Sequence, residues 1–553
     1  MDELWLMCCG FIDLSIDHFM TIQKRLLLEQ IERLKASHIG RKVMHGAAPQ
    51  SVDEFRRLVP LTSYADYCPE LQERREYALP APPARWIRTS GYSGTYDIKW
   101  VPWSRRFEAE MEKVLLACVF LSGSRCRGDI RHAREHMKVL YTLGGAEYGT
   151  GAMGELLRRS LGFEFLPADR EGLSFTEKIE EGLAEALYRG LDGFGGLPSV
   201  LVMVAERMQQ RRTMDPGFLL KHPAALLRLA RGLVRSRLAH RPLLPRDLWD
   251  VKAIIGGGTD SAVFARKVEE MWGRRPLELY AGSEGGVCAV QTWDGGGLTF
   301  VPNLNFLEFI PEEEHSRWRL DHSYRPQTVL LDEVEPNRNY EIVITNFHGG
   351  ALTRFRVGDM VRIISLHNRA SRIGLPQMVF HGRADYLIDI AGLGRLTERI
   401  IWEALENTGV PYTDWTARKE VADGRALLHL YVEPGEAALR ESGLAEAIGR
   451  ELDRLDGRYH HNPYQIYGGG NGAGPGLVEV TLLPAGAFAE YTARQQADGA
   501  DLGHLKPRHI NPEDSVIASL LSSPPAGGSP AGVPTSRPLP GAGRPPAAGE
   551  VVQ

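Results

Sequence analysis

The chain has 553 residues, too many for one ordinary hydrophobic core, so two or more domains are expected. Lys and Arg number 65 and Asp and Glu number 70, and the resulting net charge of −5 argues against a surface that coats nucleic acid. Chemistry on small molecules and contacts with other proteins both stay open.

The cysteines and the first residues indicate a cellular compartment. The six cysteines are scattered and none forms a CxxC pair, which is typical of a reducing cytosol. Residues 1–19 mix apolar residues with four acidic ones and lack the basic start of a signal peptide. No apolar run is long enough to span a bilayer. We therefore expect a cytoplasmic protein with no membrane span.

The first half of the chain alternates helix-like and strand-like segments. Apolar spacing predicts an amphipathic helix over Ile22 to Leu34, whereas Arg57 to Pro69, with two prolines, is predicted to be a loop. Further helices are predicted over Arg105 to Leu121, Phe175 to Leu191, Ser199 to Gln210 and Ser261 to Trp272. Strands that end in glycines are predicted over Lys138 to Leu143, Val251 to Ile255 and Leu277 to Tyr280. This alternation is typical of an α/β domain.

The pattern changes near Phe300. Phe306 to Ile310 and Tyr340 to Thr345 are predicted to be antiparallel strands, and a break falls at Gly382 to Gly394. Helices over Leu396 to Asn407 and Leu444 to Leu455 and strands over Arg425 to Val432 and Leu477 to Leu483 follow. The predicted fold is α/β, with a large N-terminal domain of mixed sheets and a β-rich part (1–385), a hinge, and a small mobile α+β domain (386–515). Residues 516–553, dominated from Ser522 by Pro, Gly, Ala and Ser, are predicted to be a disordered tail.

Five short stretches carry side chains suited to chemistry. Thr89 to Thr95 packs glycines and hydroxyls into one loop that could cradle a phosphate, although a plain Ser/Gly turn has the same composition. Tyr280 to Gly286 offers an aromatic ring for a purine and a carboxylate for Mg²⁺, or simply ends a strand. Thr353 to Asp359 places a carboxylate at a predicted strand end, where it could accept bonds from ribose hydroxyls or sit in a hairpin turn. Gly382 to Asp385 and Leu505 to Arg508 are, on local grounds alone, ordinary surface segments.

Two further stretches have competing interpretations. Gly149 to Gly154 fits GxGxxG, but Gly144 to Tyr148 separate it from the predicted strand, so a glycine-rich pocket wall is favoured over a dinucleotide-binding turn. Lys221 to Arg246 interleaves leucines with arginines, and we favour a solvated amphipathic helix over a surface for anionic lipid or a partner.

In their order, the five stretches resemble those of the adenylate-forming superfamily, and within it most closely the plant auxin-responsive Gretchen Hagen 3 family of acyl acid–amido synthetases. The likeness runs from about Val59 to Arg508. Val59 to Tyr64 is similar to the family's opening segment, Tyr340 to Thr345 with Arg354 to Asp359 to its central signature, and Gly486 to Phe488 with Leu505 to Arg508 to its C-terminal one.

The resemblance implies ATP-dependent activation of a small carboxylic acid as acyl-AMP and transfer of the acyl group to an amino acid or other amine, with ATP and Mg²⁺ required. It implies a phosphate-binding loop at Ser90, Ser93 and Gly94, a small-residue turn at Gly257 and Gly258, and a nucleotide-contacting turn at Tyr280 and Ser283. It further implies Mg²⁺ at Glu284, ribose at Asp359, a hinge arginine at Arg383 and a mobile catalytic lysine at Lys506. Tyr92 replaces the family's usual threonine, and Lys99 lies later than its loop lysine.

Three functions stay open from the sequence. The plant-type signatures favour an amido synthetase. An acid–thiol ligase that makes an acyl-CoA or loads a carrier protein is the first alternative, and a non-catalytic relative that binds nucleotide and acid is the second. The acyl pocket is sought at Leu143 to Gly151, where Tyr148 is a candidate for determining acid preference.

Overall fold

The structure is a computed structural model, and it describes residues 2–89, 99–142, 145–168, 173, 175–210, 216–257, 261–383, 388–390, 394–422, 425–435, 441–459, 477–497, 507 and 509–522. The helices are α1 Asp2–Cys9, α2 Ile16–Ala36, α3 His38–Val43, α4 Val52–Leu58, α5 Arg105–Gly123, α6 Gly149–Leu161, α7 Phe175–Arg189, α8 Pro198–Gln210, α9 Pro216–Lys221, α10 Pro223–Leu238, α11 Pro245–Leu248, α12 Ser261–Trp272, α13 Glu312–Leu320, α14 Glu398–Asn407, α15 Glu441–Tyr459, α16 Ala487–Ala497 and α17 Asp514–Leu521. Short 3₁₀ helices cover Gly10–Asp13, Tyr64–Tyr67 and Glu76–Ala78.

The strands form one large sheet and three small ones among the described residues. They are β1 Pro83–Arg88, β2 Trp100–Ser104, β3 Lys138–Tyr141, β4 Glu164–Leu166, β5 Gly193–Gly196, β6 Ala253–Gly256, β7 Leu277–Gly282, β8 Gly286–Gln291, β9 Leu298–Phe300, β10 Asn305–Pro311, β11 Arg338–Asn346, β12 Phe355–Ser365, β13 Gln377–Arg383, β14 Ile388–Ile390, β15 Gly394–Leu396, β16 Tyr412–Ala422, β17 Arg425–Pro434 and β18 Val478–Leu482. The large sheet has the order β10-β11-β12-β13-β9-β8-β7-β6-β5-β3-β4.

The large sheet has a parallel half and an antiparallel half that meet at β7. Strands β4, β3, β5, β6 and β7 run parallel, and helical crossovers connect them, as parallel pairing requires. From β7 onward through β8, β9, β13, β12, β11 and β10 the pairing is antiparallel. The α/β fold with mixed sheets and a β-rich part is therefore confirmed.

Local sequence signals explain several helix starts. The hydroxyls of Ser15, Ser104 and Thr397 each accept a hydrogen bond from a backbone N–H in the first turn of α2, α5 and α14. Such caps satisfy N–H groups that have no partner inside the helix. Helix α5 starts and α12 starts and ends where the sequence predicts.

Different parts of the chain have separate hydrophobic clusters. The largest combines α1–α6 with the antiparallel strands, and a second lies under α7, α8 and α12. A third cluster, from Ile388 to Ile510, belongs to the β16–β18 sheet and helices α14 and α15. Among the described helices, no single one is long and apolar enough to cross a membrane, although the bent pair Glu3–Asp13 and Ile16–Ala36 passes the length and composition criteria together.

Four segments differ from the sequence predictions. A 3₁₀ helix, Tyr64–Tyr67, lies inside the predicted loop because Asp66 accepts a bond from the Ser63 backbone N–H. Asp359 lies within the eleven-residue strand β12 and not at a strand end. The glycines of the GxGxxG stretch lie inside α6, so they form no turn before it. Helix α17 runs past residue 516, where the tail was predicted to begin, because Ile517 and Leu520 are buried against Phe488 and Leu483.

Candidate active site

A tyrosine, an aspartate and an arginine meet at the centre of the antiparallel half. The Tyr280 hydroxyl donates a hydrogen bond of 2.7 Å to Asp359 Oδ2, and Arg383 Nη1 donates one of 2.7 Å to Asp359 Oδ1. Charge-assisted bonds of this length are among the strong ones in proteins. The structure thus brings together three residues that were predicted separately.

Sheet geometry accounts for this arrangement. Asp359 on β12 lies opposite Arg383 on β13 in the antiparallel register. Gly358 precedes the aspartate with a φ of 77°, a conformation that glycine adopts without steric cost. Tyr280 is on β7, and strands β13, β9 and β8 lie between β7 and β12 in the sheet. The Tyr280–Asp359 hydrogen bond therefore joins strands that are not neighbours.

Tyr280 is fixed as a hydrogen-bond donor. Burial and the negative charge of Asp359 raise the pKa of its phenol well above the usual value, so the ring keeps its proton near neutral pH. Its ring is stacked against Phe380 of β13, with centroids 6.4 Å apart and planes inclined by 25°. A flat aromatic surface therefore lies beside the carboxylate.

The turn after β7 is held by side-chain amides. Asn346 Nδ2 donates to the Glu284 carbonyl at 2.9 Å, and Asn305 Nδ2 donates to the Gly285 carbonyl at 2.6 Å. Trp103 Nε1 donates to the Ser283 carbonyl at 2.9 Å. Because the backbone carbonyls are engaged this way, the position of the Ser283–Glu284 turn is set by residues of three different elements.

An apolar cavity of about 290 Å³ opens at the same turn. Its wall comes from α5, α6 and the parallel strands β3 to β7. Glu284 is the one charged side chain among the described residues that line it. The wall includes Thr89, Leu115, Cys118, Val119, Met137, Val139, Tyr141, Gly149, Thr150, Met153, Leu157, Phe163, Phe165, Gly193, Phe194, Gly195, Gly196, Leu197, Ala253, Ile255, Gly257, Leu279, Ala281, Gly282, Ser283 and Glu284.

Strand β5 shapes one wall of this cavity through its glycines. A Cβ at Gly195 would lie 2.8 Å from the Tyr141 ring, and one at Gly196 would lie 2.1 Å from Thr142 Oγ1. Real Cβ atoms do not approach that closely, so larger residues would displace β3 side chains. Glycines inside a strand mark such close approaches, and the GFGG sequence of β5 is the signal that would have found this wall.

The predicted phosphate loop lies between β1 and β2. Ser90, Ser93 and Gly94 lie outside the described residues. The base of the loop is closed by a hydrogen bond of 2.9 Å from the Thr89 N–H to the Lys99 carbonyl. The buried Thr89 Oγ1 has no hydrogen-bond partner among the described residues and faces the cavity. A buried hydroxyl of this kind suits a polar ligand group.

Of the remaining predicted site residues, Gly257 is among the described residues, whereas Gly258 and Lys506 are not. Gly257 follows β6, donates its N–H to the Gly196 carbonyl at 3.1 Å and lines the cavity. His509, three residues after Lys506, has its carbonyl bonded to the Ala417 N–H of β16 at 2.7 Å, so the chain beyond the lysine runs along that strand.

Part of the stretch predicted to form the acyl pocket, Leu143 to Gly151, lines the cavity. Gly149 and Thr150 line it, whereas Tyr148 does not belong to the lining residues and lies under the Arg88 guanidinium at 5.5 Å. Residues Leu143 and Gly144 lie outside the described residues. Phe194 and Phe380 contribute to the site and were not predicted.

No group of three or more potential metal ligands converges among the described residues. The single carboxylate at the cavity mouth, Glu284, nevertheless suits Mg²⁺, which is usually held by one or two carboxylates together with substrate phosphates. The donor set therefore fits a magnesium ion that arrives with a nucleotide.

The opening segment and the central signature are physically joined. Arg354, directly before β12, makes two bonds to Glu308, at 3.0 and 2.8 Å, and donates to the carbonyls of Arg56 and Val59, both at 2.6 Å. Thr62 adds backbone bonds to Arg354 and Arg356. These contacts fix the strand that carries Asp359.

Solved structures share this fold. The chain aligns with an acyl acid amido synthetase, AtGH3.15 in complex with 2,4-DB, at a TM-score of 0.51 and 17% identity, over 93% of this chain and 95% of that one. It aligns with 2-hydroxyisobutyryl-CoA ligase at a TM-score of 0.50 and 15% identity, over 82% and 86%. The fold is thus that of the adenylate-forming enzymes.

Sequence comparisons match two regions of the chain to one family. Residues 9–162 match the model of the GH3 family N-terminal domain, and residues 298–383 match that of the GH3 family central domain. The chain therefore carries two regions similar to domains of the GH3 (Gretchen Hagen 3) family.

Curated relatives match part of the chain. Indole-3-acetic acid-amido synthetase GH3.8 of Oryza sativa subsp. indica is 39% identical over 236 residues, which are 41% of this chain and 36% of that protein. Jasmonoyl–L-amino acid synthetase JAR4 of Nicotiana attenuata is 29% identical over 228 residues, 40% of this chain and 37% of that protein. The aligned region therefore spans less than two fifths of the length of these relatives.

Proposed function

We propose that this protein uses ATP to activate a carboxylic acid as an acyl-adenylate and then transfers the acyl group to the amine of an amino acid. The observation that carries the proposal is the junction at Gly282–Glu284. On one side of this turn lies the polar group of Tyr280, Asp359 and Arg383, and on the other lies the apolar cavity. A nucleotide and an apolar acid bound on the two sides would meet at the turn.

The polar side suits the nucleoside of ATP. Asp359 is a hydrogen-bond acceptor with a side chain 13% exposed, so ribose hydroxyls are suitable donors to its carboxylate. The stacked rings of Tyr280 and Phe380 offer an apolar face to a purine. Ser90, Ser93 and Gly94, on the loop after Thr89, are assigned to the phosphates, with Gly257 and Gly258 beside the nucleotide.

The apolar side limits the size and charge of the acid. A cavity of about 150 Å³ holds a benzene molecule, so the 290 Å³ here would hold about twelve carbon atoms. Apart from Glu284, the described wall offers no charged side chain, so a second carboxylate on the acid would be buried without a counter-ion. The proposed substrate is a monocarboxylic acid with an apolar body of this size.

The first step of the reaction joins two anions, the substrate carboxylate and ATP. A substrate carboxylate oxygen attacks the α-phosphorus of ATP, and pyrophosphate leaves; the amine then attacks the acyl carbon, and AMP leaves. Mg²⁺ at Glu284 would supply positive charge to the phosphates. We assign Lys506 to the reacting phosphate and carboxylate, where one well-placed donor is worth about 3–4 kcal/mol. Water must be excluded from the acyl-adenylate, and the apolar lining of the cavity supports that.

The smaller part of the chain would carry Lys506 to this site. Its hydrophobic cluster, from Ile388 to Ile510, is separate from those of the larger part. That separation supports the proposed division into residues 1–385, 386–515 and a tail, and a closing motion of the second part would deliver the lysine. The relatives named as indole-3-acetic acid-amido and jasmonoyl–L-amino acid synthetases support an amino acid as acceptor.

The test is a product analysis. The purified protein is incubated with Mg·ATP, a series of straight-chain and aromatic acids, the common amino acids and coenzyme A, and mass spectrometry reads the nucleotide and acyl products. We expect AMP and an N-acyl amino acid. An acyl-CoA in place of the amide would make the protein a thiol ligase, and ADP in place of AMP would contradict adenylate chemistry.

A pair of variants tests the acid pocket. Val119→Phe adds four side-chain heavy atoms to the wall, so the longest accepted acid should shorten by about four carbon atoms. Val114→Phe is the matched control, because Val114 is buried on the same helix but does not line the cavity. If both variants keep the wild-type chain-length profile, this cavity does not hold the acid.

A further inference from the structure

Helix α10 presents its larger apolar side chains to solvent. Six apolar side chains between Leu220 and Leu238, Leu220 on α9 and five on α10, have exposed fractions from 45% to 84%. They are Leu220, Leu226, Leu227, Leu233, Val234 and Leu238. A helix on a globular protein ordinarily turns its apolar stripe to the core, so this face requires another explanation.

The packing of α10 on the protein explains how the leucines are left outside. The buried residues of the helix are small: Ala225, Gly232 and Ser236. A Cβ at Gly232 would lie 2.6 Å from a Leu248 methyl group, so the helix lies close against α11. At 3.6 residues per turn, Leu227, Val234 and Leu238 project from the opposite side. The face of α10 that packs against the protein therefore consists of small residues, and the solvent-exposed face carries the larger apolar side chains.

The same segment is strongly basic in an acidic chain. Residues 216–246 contain seven Lys and Arg residues and no Asp or Glu, whereas the whole chain has a net charge of −5. Three of the seven serve the fold: Arg228 donates to the last carbonyls of α7, Arg235 donates to the Asp247 carbonyl at 3.3 Å, and Arg241 pairs with Asp247 at 2.7 Å. Lys221, Arg231 and Arg237 are exposed, and in the helix Arg231 lies on the apolar line and Arg237 beside it.

We infer that this basic apolar surface, formed by the six exposed apolar residues with Lys221, Arg231 and Arg237, docks α10 onto an anionic lipid bilayer. An interfacial helix has this composition, with apolar side chains in the acyl boundary and long basic side chains reaching to headgroups. The sixteen residues of α10 give about 24 Å of contact parallel to the membrane.

The charge of the segment favours an anionic bilayer over a second copy of the chain as the partner of this surface. A two-fold dimer would place the same basic segment opposite itself, with no carboxylate in residues 216–246 to compensate. Like charges at an interface disfavour it, whereas each basic residue near an anionic leaflet strengthens binding about fivefold. The inference does not rest on the proposed function, because no residue of this surface lines the cavity or contacts Asp359.

The test is co-sedimentation of the full chain with vesicles of phosphatidylcholine alone or mixed with phosphatidylglycerol. We expect binding to the mixed vesicles and little to the neutral ones, with loss in about 1 M salt, where the screening length is about 3 Å. Leu227→Ser/Val234→Ser/Leu238→Ser should lower the affinity at least about tenfold, since it removes the inserted side chains. Arg231→Glu/Arg237→Glu should abolish binding.

Matched controls test whether vesicle binding depends on this surface or on exposed leucine and arginine side chains in general. Leu28→Ser/Leu58→Ser/Leu366→Ser removes three leucines that are exposed elsewhere, and Arg266→Glu reverses an exposed charge on α12. Both should bind like wild type. The proposal is overturned if the wild-type protein ignores anionic vesicles or if the serine variant binds as tightly as wild type. It is equally overturned if ultracentrifugation shows a dimer that the serine variant abolishes.

Discussion

Two arginine–carboxylate pairs share one stretch of chain, in which Arg354 and Asp359 lie five residues apart, and the pairs differ in their surroundings. Arg354 and Glu308 have side chains 6% and 1% exposed, and Arg354 also binds the carbonyls of Arg56 and Val59. Arg383 and Asp359 are each 13% exposed and share their carboxylate with the Tyr280 hydroxyl, beside the turn that borders the cavity. The first pair is enclosed by protein, and the second lies where a ligand can reach it.

The two pairs indicate which charged residues of one motif hold the fold and which are available for binding. A buried pair whose arginine also bonds backbone carbonyls fixes backbone segments, here the opening segment against β12. A partly exposed carboxylate such as Asp359 can be reached by the hydroxyl groups of a substrate. Variants of each pair test this distinction.

Arg354→Met should lower the free energy of unfolding by about 3–5 kcal/mol, because it leaves the Glu308 carboxylate buried without its partner. Denaturant unfolding measures this. Adding Glu308→Leu to the same protein should recover part of the loss, since no uncompensated charge remains. A loss below about 1 kcal/mol would mean that the enclosed pair does not hold the fold.

Asp359→Asn should raise the KM for ATP about 10- to 100-fold, because bonds from ribose hydroxyls to a charged acceptor contribute about 1.5–3 kcal/mol. Steady-state kinetics with pyrophosphate detection measures this. The free energy of unfolding should fall by less than in Arg354→Met, since solvent reaches the pair. A variant with wild-type kinetics and a severe loss of stability would reverse the two roles.

Tyr280→Phe should raise the KM for ATP by about fivefold to tenfold, because Asp359 loses a hydrogen bond that holds its carboxylate in position for the ribose, while the stacking on Phe380 is kept. Tyr67→Phe is the control, because the Tyr67 hydroxyl is bonded to Thr353 and Thr62 within the enclosed region. The control should change the melting temperature and leave the KM for ATP unaltered. If the two variants behave alike, the polar group at Asp359 is not a nucleotide site.

A third carboxylate, Glu420 of β16, extends the comparison to the smaller part of the chain. Although burial opposes it, hydrogen bonds from Tyr431, His429 and Arg418 lower its pKa to about 2. A carboxyl with a depressed pKa stabilises the fold fully above its unfolded pKa and loses that contribution as the pH falls through the folded one. The gap in melting temperature between wild type and Glu420→Gln should therefore be largest above about pH 4.5 and narrow towards pH 2.

Calorimetry across this pH range measures the two melting temperatures. Because Glu420 is partly exposed, its substitution should have a smaller effect than those of Arg354, Asp359 and Tyr280. A gap that stays constant from neutral pH down to about pH 2 would mean that the three donors do not hold the ionised form of Glu420.

Much of the fold followed from periodicity and alternation of segments. The α12 range, Ser261–Trp272, agrees with the prediction, and β10 and β11 each extend the prediction by one or two residues per end. Asp359 was placed at a strand end, whereas β12 continues through Gly358, which has a positive φ. Local patterns do not encode such pairing irregularities.

The site was predictable as a set of residues and not as an arrangement. The motifs that resemble the GH3 family named Tyr280, Asp359 and Arg383, but their contacts depend on the β12–β13 register and on how the large sheet curves. The cavity joins α5, α6 and five parallel strands, which share no short sequence pattern. A solvated amphipathic helix was predicted over Lys221 to Arg246, but which face it buries follows only from the packing of Gly232.

The central claim is that a substrate carboxylate attacks the α-phosphorus of ATP. The most direct measurement supplies an accepted acid with ¹⁸O in its carboxylate and analyses the nucleotide and phosphate products by mass spectrometry. The account predicts AMP that carries one ¹⁸O atom, together with unlabelled pyrophosphate. Unlabelled AMP, or ADP with the label in inorganic phosphate, would contradict it.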